Sequence, residues 1–214
     1  MARQTKERAE QTRERIIDAA EQVFYRRGVA RASLEEIARE AGVTRGAVYW
    51  HFSDKVEVFI AVEHRAQQPY EQMRAALRSS VSHAGNAEEA MQALETSIVE
   101  AFERIQSDEL ARLRLTVMLL RCDYVGEMAP ALERQTAITR LFFSELQHYF
   151  NVVIPPPAPG SDWQPEDAAQ VLQVVVHGSF MRWLRSPDEF PIGKGVIAIK
   201  AFIAALRKAW IPNV

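Results

Sequence analysis

The run SLEEIAREAGVTRGAVYWHF, residues 33–52, constrains this chain more than any other part of it. Ser33 is a capping residue, and Glu36 stands at the third helical position, where its carboxylate can reach back to complete a capping box. Gly42 ends that helix, because glycine takes the left-handed backbone that a tight helix exit demands. Thr44 is then placed to cap a second helix, running from Arg45 to about Phe52. Ala38, Gly42 and Val48 stand at offsets of four and ten, with Ile37 just before them. A small residue lets two helices approach and a branched apolar one locks the second onto the first, so the spacing predicts a helix-turn-helix.

The second of these helices sets Tyr49, Trp50, His51 and Phe52 side by side, and a helix can bury only one stripe of such a run. Val48 and Phe52, at i and i+4, are expected to turn inward against Ile37 and the first helix. Arg45, Tyr49 and the backbone at Gly46 then share the outward face. Arg45 lies at the helix N-terminus, where recognition helices meet base edges, and its fork suits O6 and N7 of guanine. Gly46 and Ala47 lack bulk, so the backbone can sit close to a groove. Tyr49, Trp50, His51 and Lys55 offer donors for phosphates, which position a protein without reading sequence. The same residues admit plainer roles: Arg45 solvated, Tyr49 and Trp50 packed against the next helix, His51 capping or packing.

Elsewhere helix signals dominate and strand signals are nearly absent. Ile16, Ala20, Val23 and Phe24 follow helical spacing until Gly28; Ser53 and Asp54 cap a fourth helix that Pro69 is expected to kink. ELARLRLTVMLLRCDYV is apolar on most of its circumference, as in the middle of a bundle. VIPPPAPGSDWQP is the one long linker, and Pro165 suits the first turn of the helix after it. About nine helices result, all-α: a helix-turn-helix domain over 1–55 and a helical bundle over 56–214.

The formal net charge of −2 conceals a gradient, since eleven bases face nine acids through Lys55. That +2 points a polyanion towards the front of the chain. A single cysteine, Cys122, excludes an internal disulfide framework and fits a reducing compartment. The charged start lacks the apolar core of a signal peptide, and Lys200 interrupts the most apolar C-terminal stretch. A cytoplasmic protein without membrane contact is expected.

The stretch from Thr12 to Phe59, with its AGVTRGAVYWHF string, closely resembles the N-terminal DNA-binding domain of the TetR family of one-component bacterial repressors. TKERAEQTRERI and YWHF look like the AcrR-type branch, repressors of multidrug efflux pump operons. The resemblance implies a homodimer whose last two helices form a four-helix interface, with middle helices enclosing a cavity for a hydrophobic small-molecule effector. By the same resemblance Thr44, Arg45, Gly46, Tyr49, Trp50, His51 and Lys55 fall on positions that contact operator DNA, and Thr12 and Ser33 on positions that reach phosphates.

Pocket candidates are the polar or soft residues that interrupt apolar faces: Glu63 and Gln67, Met118 and Cys122, His177 and Phe180. Core packing explains Met118, Cys122 and Phe180 equally well, and Glu63 exposed on the surface is the plainer alternative. Glu145 and His148 at i, i+3 form half of a di-iron bundle site, but the complementary half is missing, and no phosphate loop or nucleophile elbow appears. No metal, cofactor or catalytic residue is expected. The reading is a ligand-responsive transcriptional repressor, with a same-fold regulator of another pathway as the alternative and a helical-bundle enzyme carrying a DNA-binding head as the remoter one.

Overall fold

The computed structural model describes residues 2–83, 85–152 and 163–211; most of the proline-rich linker lies outside them. Ten α-helices and one 3₁₀ turn, with no strand, make up the described residues: α1 (Ala2–Arg27), α2 (Leu34–Ala41), α3 (Arg45–His51), α4 (Lys55–Ala66), α5 (Gln68–His83), α6 (Ala87–Ser107), α7 (Glu109–Leu120), η1 (Gly126–Met128), α8 (Ala129–Val152), α9 (Pro165–Arg185) and α10 (Ile192–Trp210). The tenth helix arises where a kink was expected. The chain breaks at Gln67, and Pro69 sits in the first turn of α5, where its missing N–H leaves no bond unmade. None of the described helices is long and apolar enough to cross a membrane.

Two compact units divide the chain, and residue 55 is not where they part. The first contains residues 1–68 and 109–135. Ile16, Phe24, Ile37 and Val48 of the three leading helices share one core with Val58, Phe59 and Val62 of α4 and Val117 of α7. One long helix and two short ones present too little apolar surface to close a core alone, so α4 and α7 complete it. Phe59 stands edge-on to both Phe24 and Tyr124 at 6.1 and 5.9 Å.

The second unit contains residues 69–108 and 136–214. Here α10 packs on both α9 and α6. The approach is close at Gly195, where a Cβ would lie 2.7 Å from that of Ser179. Phe102 stacks on Phe180 at 4.2 Å, and Trp210 closes edge-on against Phe150 at 5.5 Å. Val174 and Ile197 stay 61% and 68% exposed on the outer faces of α9 and α10.

Candidate nucleic-acid interface

The helix-turn-helix forms with the caps that the sequence provides. Ser33 Oγ accepts from Glu36 N at 3.2 Å while the Glu36 carboxylate accepts from Ser33 N at 3.1 Å, completing the capping box. That backbone bond, reinforced by Arg27, holds the Glu36 carboxyl below its ordinary pKa. Gly42 adopts φ 64°, and the N–H of Val43 closes back on Ala38 O at 3.0 Å. The Arg15 guanidinium, reaching from α1, donates to the carbonyls of Ala41 and Gly42 at 2.7 and 3.2 Å, so the turn is tied to its support. Thr44 Oγ1 accepts from Ala47 N at 3.2 Å and starts α3.

Burial sorts the ring cluster as helical spacing predicts. Val48 and Phe52 are 0% and 4% exposed, with the Arg13 guanidinium 5.4 Å over the Phe52 ring. Tyr49 and Trp50 are 46% and 73% exposed, which removes the packing alternative for both within this chain. Arg45 is exposed too; it donates to Tyr49 Oη at 3.2 Å and lies 5.3 Å over that ring. The pair thus presents a donor fork already held on an aromatic face. Gly46 is exposed with helical backbone, and a Cβ there would meet only Thr44 Oγ1 at an ordinary 3.9 Å, so the fold itself does not require a glycine there. His51 is half-buried and edge-on to Trp50 at 4.5 Å; burial, then Arg13, lowers its pKa.

Three expected phosphate contacts look different in place. The Thr12 hydroxyl donates to Arg8 O at 2.9 Å, and that of Ser33 donates to Glu36 Oε2 at 3.2 Å, so each proton is used at its own helix. Lys55 departs further. Its ammonium donates to the carbonyls of Ala30 and Ala32 at 3.1 Å each and pairs with Glu127 at 2.6 Å. An ammonium carries three donors, and all three are committed inside the protein. The expectation that the Lys55 side chain reaches a phosphate is therefore corrected: its side chain faces the α1–α2 turn rather than solvent.

The pocket candidates divide between the two units. Glu63 is fully buried on α4 rather than exposed, with Arg134 Nε at 3.4 Å from one oxygen and the other lacking a partner. Burial raises its pKa against the opposing pull of Arg134. The buried Nε2 of Gln67, one turn on, is likewise unpartnered. Cys122 is buried, its thiol pKa pushed up chiefly by desolvation and also by Asp123 and Glu63. Met118 is half-buried, its carbonyl accepting from Tyr124 Oη at 3.1 Å.

His177 and Phe180 belong to the second unit. His177 is exposed on α9, and the Phe180 ring packs on that of Phe102. A cleft of about 320 Å³ that is not among the sequence-derived candidates opens in that unit between α5 and α8, walled by Leu77, Phe142 and Leu146. Its signal is the spacing of apolar residues on two helices whose pairing is not local. Glu145, on its rim, binds Arg74 bidentately and Arg78 at 3.3 Å, so the would-be metal ligand is an ion-pair acceptor. No cluster of three or more metal-binding side chains occurs among the described residues.

A family model for bacterial regulatory proteins of the tetR family matches residues 16–62. The chain is 39% identical over 210 residues to the HTH-type transcriptional repressor BepR of Brucella suis, covering 96% of each. Its structure is similar to that of NalD, the secondary repressor of the MexAB-OprM multidrug efflux pump in Pseudomonas aeruginosa, with TM-score 0.79 and 32% identity over 93% of this chain and 96% of that one. A SmeT–triclosan complex aligns with TM-score 0.75 and 30% identity over 91% and 90%; SmeT is the repressor of the Stenotrophomonas maltophilia multidrug efflux pump SmeDEF. With 39% identity to BepR over nearly the whole of both chains and the helix-turn-helix geometry in place, this chain belongs to the TetR family of bacterial regulatory proteins.

Proposed function

We propose that the protein is a ligand-responsive transcriptional repressor of a multidrug efflux pump operon, released from its operator by a hydrophobic small molecule. One observation carries the DNA reading: Arg45, Tyr49 and Trp50 stand exposed on a helix whose opposite face is sealed by Val48 and Phe52. Arg45 reads a base edge in the major groove, Tyr49 and Trp50 engage the sugar–phosphate backbone, and the bare backbone at Gly46 permits close approach. Thr12, Ser33, Thr44 and His51 flank that contact. Two such heads are needed for useful selectivity, spaced about 34 Å apart on one face of the duplex. The apolar outer faces of α9 and α10, with Val174 and Ile197, form the dimer contact.

The efflux assignment draws on the similarity to BepR, NalD and SmeT. Glu63 and Gln67, each with a buried polar atom lacking a partner, serve as polar anchors for the effector, with Met118 and Cys122 as softer walls. The effector releases DNA only as far as it prefers the conformation that does not fit the grooves.

The decisive experiment is a gel shift with DNA flanking the protein's own gene, repeated with a panel of lipophilic drugs. Binding that several drugs relieve supports the reading; no binding, or binding indifferent to every drug, overturns it. Arg45→Ala should lose about 1–3 kcal/mol on operator and blunt discrimination at one position per half-site. An unchanged footprint removes Arg45 from base readout.

A further inference from the structure

Lys55 was expected to hold DNA, and the structure gives it another occupation. Its side chain is 10% exposed, and its ammonium is ringed by Ala30 O, Ala32 O and Glu127. The two carbonyls belong to the α1–α2 turn, Lys55 opens α4, and Glu127 lies in η1, on the connection between α7 and α8. One side chain therefore joins three separate pieces of chain around the reading helix. Two further links bind the same connection to the same region. Val29 N donates to Arg121 O at 2.8 Å, and Tyr124, held at φ 52°, sets its ring edge-on to Phe59 of α4. Glu127 also lines a cleft of about 370 Å³ shared with Arg45 and Tyr49, so this fastening borders the reading face.

We propose that Lys55 and Glu127 are positioning residues for the recognition helix: the ion pair latches the α7–α8 connection onto the α1–α2 turn and the start of α4, and so fixes the angle at which α3 meets the groove. The inference rests on the DNA-binding reading above and adds a point of control to it. An ammonium shut away from water needs its acceptors, because losing one leaves a desolvated charge unmet. Withdrawal of Glu127 loosens the turn that carries Ala30 and Ala32, and whatever moves η1 changes the fit of α3. The connection between α7 and α8 is then the segment through which operator affinity is adjusted.

Charge gives a test with a definite sign. Glu127 is an acid beside a polyanion-binding face, so a bystander glutamate should tighten DNA binding when neutralised. As a positioning residue, it should weaken binding instead. In the full-length protein, with the duplex flanking its own gene, Glu127→Gln is expected to lower affinity about two- to fivefold. Lys55→Met, which strands two carbonyls, should lower it about tenfold or more while leaving the slope of log affinity against log salt unchanged, since no phosphate contact is lost. The double variant should fall no further than Lys55→Met.

Amide hydrogen exchange reads the latch without DNA. In Glu127→Gln the amides over 29–34 should exchange about threefold faster or more, with those of α10 at the parent rate. Tighter binding by Glu127→Gln, a slope reduced by about one unit in Lys55→Met, or parent exchange rates over 29–34 would each overturn the proposal. If the parent protein shifts no duplex, the repressor reading falls by itself, and the exchange experiment still decides whether the latch exists.

Discussion

Two buried glutamates in the first compact unit have the same side chain and nearly the same burial, yet opposite surroundings. Glu21, on α1, is 1% exposed and accepts from Arg65 Nη1 and Arg114 Nε at 2.8 Å each. Arg65 pairs in addition with Glu14 and with Asp18, so α1, α4 and α7 share a closed ionic cluster. Those acids raise the Arg65 pKa despite its burial. Glu63, on α4, is 0% exposed and has a single guanidinium at 3.4 Å, itself on a half-exposed side chain. Burial alone therefore says little about a carboxylate's role. The number of donors brought to it separates a strut from a group left with capacity to bind.

Removing the strut should have the largest consequence. Glu21→Ala leaves two largely buried guanidinium groups short of an acceptor, which is expected to destabilise the fold by about 3 kcal/mol in urea unfolding. A loss under about 1 kcal/mol would mean that Glu14 and Asp18 suffice, and the two sites would then differ less than their geometry suggests.

Glu63 should behave in the opposite sense. Its folded pKa is raised above an unfolded value of about 4.3, so the stability of its protonated form is fully present below about pH 4 and is lost as pH climbs through the raised value. Glu63→Gln removes that loss. The variant should be more stable than the parent by about 1 kcal/mol at pH 7 and equal to it below about pH 4, measured by thermal unfolding across pH. Parallel pH profiles would erase the contrast with Glu21. Operator affinity should remain as in the parent, while the drug concentration that releases DNA should rise.

The smallest effect is electrostatic and lies beside Glu63. The Cys122 thiol is pushed up first by desolvation and also by Asp123 and Glu63, so alkylation by iodoacetamide should be slow in the parent. Neutralising Glu63 removes one of the lesser causes, and Glu63→Gln should react faster by about twofold or less. No change would place Cys122 outside the field of that carboxylate.

How much of this was readable in advance depends on how far apart the interacting residues lie. Ser33 with Glu36, Thr44 with Ala47 and Gly42 with Ala38 interact within one or two turns, so the helix-turn-helix and the facing of Val48, Tyr49 and Trp50 follow from spacing. Pro69 permits either a kink or the break seen at Gln67, and neighbouring helices select between them. Met118 and Cys122 show ordinary apolar patterning, which carries no mark of what stands opposite.

The all-helical character, the place of the caps and turns, and the side of α3 that faces out are written locally in the amino acids, because backbone hydrogen bonds and helical period act over a few residues. Packing of remote segments turns Lys55 inward to Ala30, Ala32 and Glu127, brings Glu21 to Arg65 and Arg114 across 44 and 93 residues, and leaves Glu63 with Arg134, 71 residues on, as its one ion-pair partner among the described residues. A charge reports its type in the sequence, but its energy depends on distance to other charges and to water, and both are set only when remote segments pack.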